Sequence, residues 1–284
     1  MMWIFIVLTV VGISLQSFFQ KQYNCNENEI KISIFAFNLM LVISAMLFFI
    51  PQIGKEFNIN IELFVYSLCF AVTYFCATIF TILAIKEGSL SLTSLFSSYS
   101  LIVPTMYGAL FMNEEFGGLK IIGIILLLIS LFFVGNIKKG ERVSKKWFAY
   151  IGFCFLGNGL CSTIQRMYQI KSGGENKAEF MIVALTIIAV AMLILVFVTE
   201  KRLPLPKIKN GGLFAISCGI ANGAVNMLTM IMAKFPATIV YPTISAGGII
   251  LTFILAKFVF KEKLSQNQHI GFVIGLISVV MLNI

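Results

Sequence analysis

Polar side chains stranded in apolar sequence are the residues of this chain that could do chemistry, and they recur in related places. Gln16 and Gln20 lie in one long apolar run, and Asn158 and Gln165 lie in another about 145 residues later. Tyr74 and Thr78 stand four apart in a third run; 148 residues on, Asn222 and Asn226 repeat that spacing. Ser97, Ser98 and Tyr99 have counterparts in Tyr241, Thr243 and Ser245. Residues four apart share a helix face, so each pair would present two polar groups in one direction. A carboxamide, hydroxyl or phenol in hydrocarbon is costly unless it is bonded or used. One use is glue between helices, at about 0.6–2 kcal/mol per bond. The other is the lining of a cavity, and the repetition of the whole set points there. The candidate binding residues are Gln16, Gln20, Tyr74, Thr78, Ser98, Tyr99, Asn158, Gln165, Asn222, Asn226 and Tyr241.

Such groups bind; they do not break bonds. No Asp or Glu lies in the middle of an apolar run, since Glu62, Glu114, Glu179 and Glu262 all fall at ends. Exchange of a proton for a cation across a membrane needs an embedded carboxylate. A neutral, zwitterionic or aromatic small molecule is therefore the expected partner. The alternative is an organic cation held by rings alone, at about 0.5–2 kcal/mol per cation–π contact; 28 Phe, 8 Tyr and 2 Trp could supply such a cage. The six cysteines show no C-x-x-C spacing and read as small packing residues. His269 is the only histidine, so neither a zinc site nor a catalytic triad can be assembled. There is no P-loop. The sequence predicts no enzyme, no metal and no cofactor.

The elements that must position these residues are membrane helices. Of 284 residues, 59% are hydrophobic and 12% charged, and the mean hydropathy is +0.96. A soluble domain carries about 25% charged residues, so this chain could not cover a water-facing surface. A span needs roughly 20 apolar residues, and ten stretches qualify: 2–20, 31–50, 62–85, 91–112, 118–136, 147–168, 178–199, 211–233, 237–260 and 267–283. The runs are continuous rather than alternating, which favours helices over barrel strands. The first lacks a basic leader and a cleavage site, so a span rather than a signal peptide is expected. Pro104 and Pro242 interrupt the fourth and ninth stretches. Gly219-x-x-x-Gly223 and Gly271-x-x-x-Gly275 offer close helix approach.

The chain also repeats itself. At offset 145, Gly12 falls on Gly157, Ser17 on Ser162, Gln20 on Gln165, Lys21 on Arg166 and Tyr23 on Tyr168. At offset 148, Glu114-Glu115-Phe116 through Gly123 matches Glu262-Lys263-Leu264 through Gly271. The expected architecture is an all-α integral membrane protein of ten transmembrane helices, arranged as two inverted five-helix repeats. Residues 1–138 form the first repeat, 139–146 a basic connection and 147–284 the second. An odd number of spans per repeat inverts the second copy, as alternating access requires. Lys21 and Tyr23 then end the first helix at one mouth of a central pathway, while Arg166 and Tyr168 end the sixth at the other. These four are the candidate gates; as plain interface anchors they would snorkel instead.

The net charge of +9 has no soluble surface to gather on, so nucleic acid is not an expected partner. Sorted by alternate loops, Lys55, Lys120, Arg166, Lys171, Lys177 and Lys234 share one side. The other fifteen cations share the opposite side, with the connection Lys138–Lys146 among them. Positive loops favour the cytoplasm, which places both termini outside.

Two five-helix repeats, each closing on an acid, an apolar residue and a later glycine (Glu114 to Gly123, Glu262 to Gly271), resemble the EamA-like branch of the drug/metabolite transporter superfamily. The resemblance covers the whole chain. It implies a multi-pass inner-membrane carrier of small metabolites, exporter or facilitator, with a cavity built by the first four helices of each repeat and the fifth and tenth outside it. Lipid and a small-molecule substrate are the expected partners, the chain acting as monomer or homodimer. Many relatives carry tryptophan beside the first-span glycine, whereas here Ile13 follows Gly12. A non-transporting scaffold is the reading from another class, and it leaves the paired polar positions without a purpose.

Overall fold

The structure of the protein, a computed structural model, describes residues 1–25, 34–54, 57–87, 97, 99–114, 117–134, 145–200, 208–259 and 266–283. Ten α-helices stand among them: α1 (Met2–Cys25), α2 (Ile34–Phe49), α3 (Ile61–Glu87), α4 (Ile102–Phe111), α5 (Gly118–Val134), α6 (Lys145–Lys171), α7 (Lys177–Glu200), α8 (Ile208–Ile231), α9 (Ala237–Ile254) and α10 (Gln266–Asn283). Each falls on one of the ten apolar stretches, and no strand occurs among the described residues. Ser98, Glu115, Phe116, residues 139–144 of the basic connection and Glu262–Leu264 lie outside the described residues, as does the side chain of Lys21.

Six helices, α1, α2, α3, α6, α7 and α8, are long and apolar enough to cross a membrane. At 1.5 Å per residue, about 20 residues match a hydrocarbon core of about 30 Å. The other four are apolar over 10–17 residues; α9 runs on into a π-helical turn, Leu255–Val259. Proline ends none of them. Pro104 sits in the first turn of α4, where no intrahelical N–H is needed, and Pro242 lies inside α9 at the cost of one backbone bond.

Two compact units divide the chain, and each draws on both sequence halves. The first comprises residues 1–10, 76–163 and 232–284. Within it α5 packs along α10, and α9 packs on α4 and α10. Ser130 Oγ donates to the Gly271 carbonyl at 2.6 Å, and Ser278 Oγ donates to the Gly123 carbonyl at 2.8 Å. The two bonds exchange roles at offset 148. Leu119, Ile122, Ile125 and Phe132 on α5, like Val273, Ile277 and Val280 on α10, are exposed; such apolar faces suit lipid. Glu114 follows the left-handed Asn113 (φ 51°) and caps α9: its two carboxylate oxygens accept the Ala237 and Thr238 amides, each at 2.9 Å. First-turn amides have no intrahelical partner, so a carboxylate there serves as bond and counter-charge together. Gly108 makes room, because a Cβ there would stand 2.6 Å from the Ala237 Cβ and 2.8 Å from Glu114 Oε2.

The second unit comprises residues 11–75 and 164–231. In it α2 packs against α7 and α8. The Gly219-x-x-x-Gly223 pair serves that contact: a Cβ on Gly219 would strike the α2 backbone at Leu41, and one on Gly223 would strike Phe48. Asn60 Oδ1 accepts the Leu63 amide at 2.7 Å and starts α3. At the end of α6, the Gly174 amide bonds the Gln169 carbonyl at 2.8 Å and the Gly173 amide bonds that of Ile170 at 3.3 Å. With Gly173 at φ 64°, this is a Schellman cap that holds the last turn in place.

Candidate functional site

Within the second unit, close approach of α1 to α8 begins at Gly12, where a Cβ would stand 2.6 Å from Val225 Cγ2. One turn on, Gln16 meets Asn222. The Asn222 Nδ2 donates to Gln16 Oε1 at 3.0 Å, and Gln16 Nε2 donates back to the Gly12 carbonyl at 3.5 Å. One turn further along α8, Asn226 Nδ2 donates to the side-chain and backbone oxygens of Asn222 at 3.0 and 2.9 Å. From α6, Gln165 Nε2 donates to Asn226 Oδ1 and to its backbone oxygen, both at 3.3 Å. Four carboxamides from three helices thus run head to tail. In a low-dielectric interior each link polarises the next. Gln20 is exposed and interacts with the Cys218 thiol, which itself reaches the Gln16 carbonyl at 3.8 Å.

An aromatic stack borders the same unit. Tyr168 lies face to face with Phe180 at 4.8 Å; Phe180 meets Phe70 edge-on at 5.5 Å, and Phe70 stacks on Tyr74 at 5.8 Å. Tyr66 approaches Tyr168 at 5.6 Å. Ser67 fixes α3 on α7 by donating to the Phe180 carbonyl at 3.0 Å. At the outer end Lys171 Nζ pairs with Glu62 at 2.7 Å and stands 5.8 Å over the Tyr66 ring. Both partners are largely exposed, so the pair is worth about 0–1 kcal/mol in stability. Glu179 is buried and accepts the Gly54 amide at 3.3 Å. Arg166 and Tyr168 are buried rather than snorkelling. Tyr23 is also buried, 4.4 Å from Phe37.

The remaining sequence candidates lie in the first unit. Asn158 Nδ2 donates to the Cys154 carbonyl at 3.1 Å, and the Cys154 sulfur meets Thr81 and Ser97 hydroxyls at 2.9 and 3.2 Å. Tyr241 is buried and donates to the Ser162 carbonyl at 3.4 Å. Tyr99 packs in a core with Leu127, Ala246 and Ile249, and Thr78 is half-buried. Thr243 donates to the Ile239 carbonyl of its own helix at 2.7 Å, and Ser245 is buried in α9. The structure therefore gathers Gln16, Gln165, Asn222 and Asn226 into one relay, places Tyr74 in the stack of the same unit, and puts Thr78, Tyr99, Asn158 and Tyr241 in the other unit.

Sequence reasoning missed several polar groups that the structure brings forward. Gln169 is 2% exposed and neither of its side-chain polar atoms has a hydrogen-bond partner; the spacing Gln165-x-x-x-Gln169 was its available signal. Glu62 with Lys171, and Glu114 on α9, join segments far apart in sequence and leave no local pattern. Among the described residues no group of three or more His, Cys, Asp or Glu comes together as metal ligands would.

Compared with known proteins, residues 1–136 match the family model of the EamA-like transporter family. No curated protein matches the chain. A solved structure described only as "Crystal structure of protein" superposes with a TM-score of 0.75 at 12% identity, covering 96% of this chain and 95% of its own. That likeness is one of fold.

Proposed function

We propose, from a chain that belongs through its residues 1–136 to the EamA-like transporter family of the drug/metabolite transporter superfamily, that this protein is a secondary carrier of small neutral, zwitterionic or aromatic metabolites. The observation that carries the reading is the uncharged relay Gln165–Asn226–Asn222–Gln16, which links three helices of the second unit. Each carboxamide offers donors and an acceptor, so a cargo can exchange its own polar groups for links of the relay at little net change in bonding. No carboxylate belongs to the relay, which suits facilitated diffusion or simple exchange rather than proton-for-cation exchange.

Gln16, Gln20, Tyr74, Asn222, Asn226 and Gln165 are the cargo residues of the second unit under this reading. Ser98, Tyr99, Thr78, Asn158 and Tyr241 complete the set. The two halves, 1–138 and 147–284, work as inverted repeats across the inner membrane. The reciprocal bonds of Ser130 and Ser278 support this arrangement, since a two-fold relation makes residue i meet j wherever j meets i. Lys21 and Tyr23 gate one mouth, Arg166 and Tyr168 the other. The ring cluster of Tyr66, Phe70, Tyr74, Tyr168 and Phe180, with Lys171 over Tyr66, favours one second reading: an organic cation held by rings.

Thermal stabilisation of the detergent-solubilised full chain across a metabolite panel tests the proposal. Stabilisation by uncharged or zwitterionic compounds, lost in Asn222→Leu, is the expected result. Stabilisation by quaternary amines alone would transfer the case to the aromatic cage, and no stabilisation by any compound would favour a scaffold.

A further inference from the structure

We infer that Gln169 is a cargo-contacting residue and that the cargo it selects carries a cis-amide edge, an N–H beside a C=O, as in primary amides, lactams and nucleobases. The inference deepens the carrier reading of the second unit and rests on it.

Among the described residues, Gln169 alone has both side-chain polar atoms buried without a partner. Its burial is close to complete, with 2% exposure. Fraying does not explain the vacancy, because the Gln169 carbonyl anchors the Schellman cap at 2.8 Å and holds this turn of α6 rigid. Nor is it the habit of this helix to leave amides unbonded. Gln165, one turn earlier on the same face, is bonded to Asn226 and reaches the Met181 sulfur at 3.8 Å. A structural glutamine would be bonded as Gln165 is; buried polar groups in native proteins are. An apolar residue of similar volume would remove the orphaned groups altogether, so a carboxamide here is explained by a partner that comes and goes.

The chemistry of that partner follows from the group. A carboxamide presents N–H and C=O side by side, and the complement of such an edge is another of the same kind, joined by two antiparallel N–H···O=C bonds. A carboxylate would satisfy only the donor and an ammonium only the acceptor. A cis-amide satisfies both at once and remains neutral, in keeping with the uncharged relay beside it.

The test uses the full chain in detergent, as wild type and Gln169→Leu, with uracil and nicotinamide as probes. Their N-methylated analogues, 1,3-dimethyluracil and N,N-dimethylnicotinamide, keep the ring and lose the N–H. We expect uracil or nicotinamide to raise the wild-type melting temperature while the methylated forms do not. Gln169→Leu should weaken that binding roughly ten- to hundredfold, the loss of two hydrogen bonds. Without any probe it should melt no lower than wild type, because it relieves two orphaned groups. A lower melting temperature of empty Gln169→Leu would make the residue structural and overturn the inference. So would the absence of any response to either cis-amide, or equal binding by wild type and variant. Proteoliposome uptake of a mixed metabolite pool separates the two claims. Equal uptake of cis-amide cargo by both proteins would sink the role of Gln169 and leave the carrier standing. Gln169-dependent binding without uptake would support the site and remove the carrier.

Discussion

Asn226→Leu removes the central link of the relay with little change in volume, and its cost can be worked from the bonds it breaks. Asn226 Oδ1 accepts from Gln165, and its Nδ2 donates to two oxygens of Asn222. Gln165 keeps its bond to the Asn226 backbone oxygen, so three bonds are lost and a fourth survives. Polar bonds between membrane helices are worth about 0.6–1.7 kcal/mol each, which gives roughly 2–5 kcal/mol in all. At about 2–4 °C per kcal/mol for a chain of this size, melting in detergent should fall by roughly 4–20 °C with the protein still folded at 25 °C. Asn222→Leu breaks the next link, so the two substitutions share a bond and their costs should not add. A double-mutant cycle should show a coupling of about 0.5–2 kcal/mol. Costs that add to within about 0.3 kcal/mol would refute the relay, since independent sites behave that way.

Glu114→Gln leaves one acceptor for two amides and sets an NH2 against an N–H. A loss of about 1–3 kcal/mol is expected by thermal melting, from the combined cap and helix-dipole contributions. Gly108→Ala should cost a similar amount by displacing the start of α9, and much less once Glu114 is already alanine. Ser130→Ala and Ser278→Ala should lower the melting temperature equally, because each removes one of two buried, reciprocal bonds; a clearly unequal pair would count against the two-fold relation. Lys21→Ala and Arg166→Ala should shift the balance of inward- and outward-facing carrier in opposite directions, read by cysteine accessibility from each side of the membrane. No shift in either variant would make them anchors.

Helices were legible because the bilayer leaves a chain few choices: length and hydropathy alone place all ten, from α1 to α10. Gln16, Asn222, Asn226 and Gln165 stood out in the sequence as polar candidates in repeat-related places, but nothing in the spacing said that these four, and not Gln20 or Thr78, bond one another. What stayed hidden lies in contacts between distant segments. Gly12 gives no sign in sequence that its missing Cβ admits Val225. Cys154 reads as a packing residue and turns out to meet Thr81 and Ser97. Glu114 reads as the acid that opens a repeat motif, yet its carboxylate caps a helix of the other half. The four-residue step to Gln169 was visible, but only burial without a partner distinguishes it from any other glutamine near a helix end.

The central claim is carriage of an uncharged cargo through the amide relay, and counterflow in proteoliposomes tests it most directly. Vesicles holding the purified chain and loaded with unlabelled compound, chosen from those that raise its melting temperature, should accumulate the same compound in labelled form from outside. That accumulation should need no proton or sodium gradient. It should disappear in Asn226→Leu protein that remains folded. Counterflow by Asn226→Leu at the wild-type rate, or uptake that appears only with an imposed proton gradient, would contradict the account.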